Sequence, residues 1–440
     1  MNHSLTLSRT LCHETGDPLA SLARWQSEGV AGARLLLVDF SLHQTWLAKP
    51  TALALTAIYY LDGQDRLWVS VTDRALSQTK SDPQQQYAAW ARQHQFARMC
   101  RGQPLALSPT FIPKPWGREI WFTGVEQRGV CKVEGGGGET PIPWMQAVMP
   151  GETMGEGGLP LILLKILDPV AQAVVGDLYF ELHEEKREVY VVTHIDSGAW
   201  PGGSGYIRFG FAAAKRAGYA DDDSFRQAYL EAVQRYESVR RQLDDDKETP
   251  QLQAARLAED EGRLRAEMDS FTHMKPLHVG DVVKVPLLTP HALQHGVRTI
   301  EFQTPVYERK ILSFAQKVLT QDHWDTPAAV AQMYLDQPPP DQFEVLQEEE
   351  GVRVERIVDF SDFEVRRVRL SQGQSLGGFC LTSYALVMVV QGQLAVGEAQ
   401  FEAEQALLLP LGWQDSLRAA QAATTLVFLL ALPRNTAVES

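Results

Sequence analysis

Two histidines and two glutamates stand out for their types and spacing. The first half of the constellation is Glu181-x-His183-x4-Glu188, and the second is Gly280-x5-Pro286-x4-His291. Alternation along a strand places Glu181 and His183 on one face, a period of two apart. Glu188 follows a tight turn and is expected on the neighbouring antiparallel strand. His291 is expected from a distant strand that pairs back into the same barrel. Two imidazoles and two carboxylates converging there suit Zn²⁺, and also Fe²⁺ or Mn²⁺. A lone histidine flanked by glutamates is more often a hydrogen-bonded surface or core residue. The two halves together make metal ligation the stronger reading.

The elements that must position these residues are short apolar runs cut by glycine and proline, which read as strands. They include Pro160 to Leu164, Leu178 to Phe180, Val189 to Val192 and Val282 to Val285. A helical insertion at about 216–272 interrupts them. Asp221, Asp222 and Asp223 suit its N-terminus. Phe225, Tyr229, Ala232, Val233, Tyr236, Val239 and Leu243 recur at helical spacing. After a break at Asp244-Asp245-Asp246 and Pro250, a second helix carries Leu257, Leu264, Met268 and Phe271. This stripe is expected to pack on a helix or a sheet, in preference to binding a partner. The glycines at 135–138 and 202–203 read as turns, and neither cluster continues into a P-loop.

Pro338-Pro339-Pro340 marks a stiff linker or domain edge. Beyond it come further strands at Val352 to Val354, Phe363 to Val365, Leu386 to Val390 and Ala406 to Leu409, and no histidine follows His323. A second small β-barrel without an imidazole site is expected there. Residues 1–105 mix strands at Ala33 to Val38 and Leu67 to Val71 with a helix near Gln84 to Met99, and suggest no role. The expected division is therefore an N-terminal α+β segment at 1–105, a metal-binding β domain at 106–320 and a C-terminal β domain at 321–440.

Composition sets outer limits. With 440 residues the chain is long enough for two or three domains. A net charge of -14 argues against nucleic acid, whose phosphates require a basic surface. It does not exclude a small anion held by a few convergent cations. Cys12, Cys100, Cys131 and Cys380 are scattered, which argues against a zinc ribbon or a disulfide scaffold. The N-terminus lacks a cationic patch followed by an apolar stretch, and the apolar run Ala52 to Leu61 is far short of the roughly 20 residues that span a bilayer. A cytoplasmic protein is expected.

The order of these motifs resembles the type I phosphomannose isomerases of the cupin superfamily. Lys114-Pro115-Trp116-Gly117-Arg118-Glu119-Ile120-Trp121 resembles the family's Trp-Gly…Glu-x-Trp entry, and Leu159 to Asp168 its Pro-Leu-Leu-Leu-Lys stretch. Leu178 to His183 falls where the family has Leu-Ser-x-Gln-x-His. Lys186-Arg187-Glu188 matches its Lys-x-Glu, and Pro290-His291-Ala292 its Val-His-Ala. Glu301 and Gln303 match its Glu-x-Gln, while Arg309 lies near its catalytic arginine, with Lys310 a competing choice.

The resemblance implies a mainly β fold of two cupin (jelly-roll) barrels and a metal held by Glu181, His183, Glu188 and His291. It implies interconversion of mannose 6-phosphate and fructose 6-phosphate through a cis-enediol, with a small phosphorylated sugar as ligand. Glu301 would shuttle the proton, Arg309 would stabilise the enediolate or position the sugar, and Lys186 would pair with the phosphate. Residue by residue, plainer accounts compete: a solvated charge pair for Lys186 and Arg187, and a carboxylate satisfied by Arg298 or Arg309 for Glu301. Two departures touch the pocket. Glu181 replaces the family's glutamine, and Tyr179 replaces a serine that helps hold the sugar phosphate. Glu184 and Glu185 also add anions near the mouth. A non-catalytic sugar-binding or regulatory cupin with a structural metal is the alternative, and an Fe²⁺-dependent oxygenase a third.

Overall fold

Most of the short apolar runs do form strands, and the chain is mainly β, arranged in several sheets. The structure, a computed structural model, describes residues 10–77, 81–150, 153–154, 160–245, 251–379, 381–420 and 425–434. Leu159, Asp246, Pro250 and Cys380 lie outside the described residues. The described cysteines, Cys12, Cys100 and Cys131, are free thiols. No described helix is long and apolar enough to cross a membrane.

The chain divides into two units that interleave along the sequence: Met1–Thr110, Trp121–Leu163 and Phe343–Ser440 form one, Phe111–Ile120 and Leu164–Gln342 the other. These limits differ from the consecutive segments 1–105, 106–320 and 321–440. Three contacts account for the difference, the first being Lys132–Gly135, which pairs antiparallel with Leu105–Ser108 and so draws its segment into the first unit. Leu105–Ser108 joins the sheet of the C-terminal strands, pairing antiparallel with Ala406–Leu409. The helix Thr326–Gln332 stays with the preceding strands, because the Thr326 hydroxyl donates to the Leu312 carbonyl at 2.8 Å. The second unit therefore ends just beyond the proline run.

In the first unit, a nine-stranded sheet and a four-stranded sheet share a core that includes Val368, Leu394, Leu417, Leu426 and Phe428. A separate five-stranded sheet holds Leu11–Thr15, Arg34–His43, Ala52–Leu61, Leu67–Thr72 and Met99–Cys100. The helix Pro83–His94 packs on it through Tyr87 and Trp90. That helix stops short of Met99 because Gln95 takes a left-handed conformation (φ 54°) that ends it.

The second unit carries the candidate residues. Its six-stranded sheet runs in the order Val282–Val285, Glu188–Ile195, Val297–Gln303, Leu163–Pro169, Gly117–Trp121, Thr110–Lys114. Its five-stranded sheet runs Thr272–Leu277, Gly205–Phe211, His291–Leu293, Phe180–Leu182, Lys310–Ser313. One buried core draws on both, including Tyr190, Val192 and Val283 from the first and Phe209, Leu293 and Ile311 from the second. The expected strand at Pro160 to Leu164 is displaced to Leu163–Pro169.

The insertion forms the helices Asp222–Asp245 and Gln251–Asp269. Asp221 caps the first by accepting from the Ser224 N–H at 2.7 Å. Its stripe of Phe225, Tyr229, Ala232, Val233 and Tyr236 is fully buried in the same core. Phe225 and Tyr229 meet Phe211 edge-on at 5.4 and 5.1 Å, so the helix packs on the five-stranded sheet. Phe180 also meets Phe211, at 6.2 Å. Alternation places Phe180 and Leu182 opposite Glu181, so the helices cover the face that Glu181 leaves free. We predict that Phe225→Ala destabilises the chain by about 3–5 kcal/mol. Denaturant unfolding would measure it, and a loss below about 1 kcal/mol would show that the insertion does not brace the sheet.

Candidate metal centre

Glu181 occupies the middle of Phe180–Leu182, with its Cα paired to His291 on one side and to Ile311 on the other. His183 lies just past the strand end, where alternation returns it to the face of Glu181. Glu188 opens Glu188–Ile195, which belongs to the six-stranded sheet and not to the strand beside Phe180–Leu182. The turn at 184–187 therefore carries the chain across to the facing sheet, and the ligand set is assembled from both. Gly280 takes the left-handed φ of 92° that its turn needs, which explains the glycine in the second half.

One ligand atom from each of Glu181, His183 and His291 lies within 4.8 Å of the others. Glu188 lies beside that group and outside it: its oxygens are 3.4 Å from His183 Nε2 and 3.2 Å from His291 Nε2. Both histidines are oriented by main-chain carbonyls. His183 Nδ1 is 3.0 Å from the Glu308 carbonyl and His291 Nδ1 is 3.0 Å from the Thr289 carbonyl. A carbonyl only accepts, so each Nδ1 carries a proton and each ring turns its Nε2 toward the centre, where a neutral ring of this tautomer offers a lone pair. Burial, with the Lys186 charge adding to it, lowers the His183 pKa and favours that neutral form.

Ring nitrogens and carboxylate oxygens thus crowd one point at short range, an arrangement a cation can join. His183 Nε2 is buried and has no hydrogen-bond partner among the described residues, and Glu181 Oε2, also without one, has the Arg309 charge at 3.6 Å. Orphaned polar atoms of this kind are costly unless something binds them. Neutral imidazole and ionised carboxylate are also the donor chemistry a divalent transition ion takes, so the residues present fit a metal.

The surrounding charges are paired. Burial opposes ionisation of Glu188, yet Lys186 at 2.6 Å holds its carboxyl well below the usual range. The Tyr190 hydroxyl donates to Glu188, and burial with that neighbouring charge keeps the phenol protonated. Glu301 is the cross-strand neighbour of Tyr190 and is 2% exposed. Its partner is Lys165, at 3.3 Å, and neither Arg298 nor Arg309. Burial raises the Glu301 pKa above the usual carboxylate range, with Lys165 opposing and Glu188 reinforcing the rise. Burial would discharge Lys165, but Glu301, Glu119 and Glu188 keep it protonated. Glu119 is itself paired with Lys114 at 2.9 Å.

The structure separates Arg309 from Lys310. Arg309 Nη1 is 3.6 Å from Glu181, its Nη2 donates to Thr320 at 2.7 Å, and its guanidinium lies 4.4 Å over the Tyr179 ring. Lys310 turns away to Glu184 at 3.1 Å, and Gln332 also donates to Glu184. Tyr179 is buried, with its ring 4.2 Å from Phe314. Lys186 is buried against Glu188 and is not a solvated charge. Sequence reasoning passed over Lys165 and Tyr190 as site residues. A signal existed for each: Lys165 is the one charge in the run Leu163-Leu164-Lys165-Ile166-Leu167, and Tyr190 is one strand period from Glu188.

The fold and site thus define a mainly β protein with a candidate His/Glu metal centre. No family model matches the chain, and no curated protein does. Solved structures do resemble it. Mannose 6-phosphate isomerase from Bacillus subtilis matches 75% of this chain and 99% of its own, with a TM-score of 0.55 and 14% identity. A zinc-bound mannose 6-phosphate isomerase matches 75% of this chain and all of its own (100%), with a TM-score of 0.53 and 13% identity. A variant of phosphomannose isomerase from Salmonella typhimurium gives 75%, 100%, 0.53 and 14%. At these identities the likeness is one of fold.

We predict that the purified chain binds one equivalent of Zn²⁺. His291→Ala should weaken binding at least about 100-fold, beyond the effect of losing an outer partner. Zinc titration against a chromophoric chelator measures both, and unchanged affinity in His291→Ala would remove that residue from the ligand set.

Proposed function

We propose that this chain is a metal-dependent aldose–ketose isomerase that interconverts mannose 6-phosphate and fructose 6-phosphate through a cis-enediol, on the first of two cupin barrels. The observation that carries the reading is the juxtaposition of a convergent, fully oriented His/Glu donor set with a buried, charge-paired Glu301 one strand away. Glu181, His183, Glu188 and His291 would hold Zn²⁺, with Fe²⁺ or Mn²⁺ as substitutes. When bound, the ion supplies positive charge against the oxygens of the first two sugar carbons.

The chain's own residues do the rest. Glu301, as a carboxylate, takes the proton from C2 of the aldose and returns it to C1, while the hydroxyl proton passes from O2 to O1 of the enediolate. Its raised pKa makes it a stronger base than an ordinary carboxylate, and Lys165 keeps a useful fraction ionised near neutrality. Burial among paired charges keeps bulk water from competing for that proton. Arg309, fixed by Glu181, Thr320 and the Tyr179 ring, contributes a positive charge at the edge of the donor set that can meet the enediolate oxygen. Tyr179 fixes the plane of that guanidinium.

A second reading has a specific observation in its favour. Lys186, the cation that the family resemblance offers to phosphate, is buried 2.6 Å from Glu188. A cation so engaged favours a sugar-binding or regulatory protein that uses its metal structurally.

Chelator-sensitive conversion of mannose 6-phosphate by zinc-loaded protein is the expected result of a coupled assay. Sugar binding without turnover would support the second reading. Glu301→Gln should lower kcat about 10²–10⁴-fold with little change in KM or zinc content. In the unmodified enzyme, kcat/KM should rise with pH as Glu301 deprotonates above the ordinary carboxylate range, because only the ionised form accepts a proton. A flat profile across pH 5–9 would remove Glu301 as the base.

A further inference from the structure

We propose that Glu308 is a positioning residue that fixes the aim of His183 and thereby sets the affinity of the metal centre. The inference rests on the metal-binding reading of His183 and adds a residue to which neither the motifs nor the ligand geometry gave a role.

Glu308 grips the ligand twice. Its main-chain carbonyl takes the Nδ1 proton of His183 at 3.0 Å, which fixes the tautomer and the rotation of the ring. Its side-chain Oε2 accepts the N–H groups of Glu184 at 2.9 Å and Glu185 at 3.2 Å, the two residues that follow the ligand. Ring and backbone are thus tied to one residue. The antiparallel pair Leu182↔Lys310 explains how: continuing that register past the strand ends brings residue 308 alongside residue 184. On the other side, the Leu288 N–H donates to the His183 carbonyl at 2.7 Å, and Leu288 holds a left-handed φ of 61° to do so. His183 is therefore held before, at and after its own position.

The chemistry calls for a side-chain oxygen with two free lone pairs. One ionised oxygen can accept two N–H donors in charge-assisted bonds, which a hydroxyl does less well. The arrangement serves stability poorly, because Glu308 Oε1 is buried and has no hydrogen-bond partner among the described residues. The Glu185 N–H lies in an exposed contact, so water can replace the carboxylate there without unfolding the turn. What the clamp adds is orientation: the turn carries the chain from one sheet to the other directly after the ligand, and a loose turn leaves the ring free to swing.

Zinc itself is the probe, titrated against a chromophoric chelator, with thermal unfolding of the metal-free proteins alongside. Glu308→Ala should bind zinc about 10–100-fold more weakly than the unmodified chain while the metal-free protein melts at a similar temperature. Glu308→Gln, which keeps an acceptor oxygen, should recover most of that loss. Equal zinc affinity in Glu308→Ala and the unmodified chain would overturn the proposal. An unmodified chain that binds no zinc would overturn the metal-binding reading itself, and this inference with it. Amide hydrogen exchange tests the clamp even if Glu308→Ala does not fold. The Glu184 and Glu185 amides should be protected in the metal-free, unmodified protein, and free exchange at both would overturn the proposal.

Discussion

The cross-strand register that sets Glu181 opposite His291 is the constraint on which the candidate centre depends. Side chains alternate along a strand, so a slip of one residue would turn Glu181 toward the face that Phe180 and Leu182 now occupy. Phe180–Leu182 is too short to fix its own register by backbone hydrogen bonds. Its flanking residues do so instead: Phe180 and Leu182 are buried in the core that Phe211, Phe225 and Tyr229 also fill. The apolar packing of the helical insertion on one face thus holds the polar ligands on the other. Core and site are two faces of the same strand.

The second sheet completes the centre and imposes a charge problem. Glu188 and Glu301 are both almost fully buried, and burying isolated carboxylates costs several kcal/mol each. The structure meets that cost by pairing: Lys186 with Glu188, Lys165 with Glu301, Lys114 with Glu119, and Arg309 with Glu181. Such pairing holds each group in one place. One nitrogen of the donor set, His183 Nε2, is buried with no hydrogen-bond partner among the described residues, and it lies 3.9 Å from Glu181 Oε1 where the set converges. Arg309 balances the charge of Glu181 and stacks on the ring of Tyr179.

Fold likeness at 13–14% identity leaves the chemistry to be argued from the site. The donor set and the Glu301–Lys165 pair are what the proposed proton transfer rests on, and Lys186 is already engaged by Glu188.

The sequence by itself determined the ligand types, the strand-like runs and the helical stripe, because alternation and helical periodicity are local properties of a chain in water. It also determined that the C-terminal strands hold no imidazole site, since no histidine follows His323. Only the tertiary structure decided which strands are neighbours. It placed Glu188 on the facing sheet, joined Leu105–Ser108 to the C-terminal strands, and chose Arg309 over Lys310. It alone showed the carbonyls of Thr289 and Glu308 orienting the two histidines. The physical reason is that strand pairing is settled by the pooled burial of residues far apart in sequence. A main-chain carbonyl, moreover, is the same in every residue and leaves no mark in the sequence until the fold gives it a neighbour.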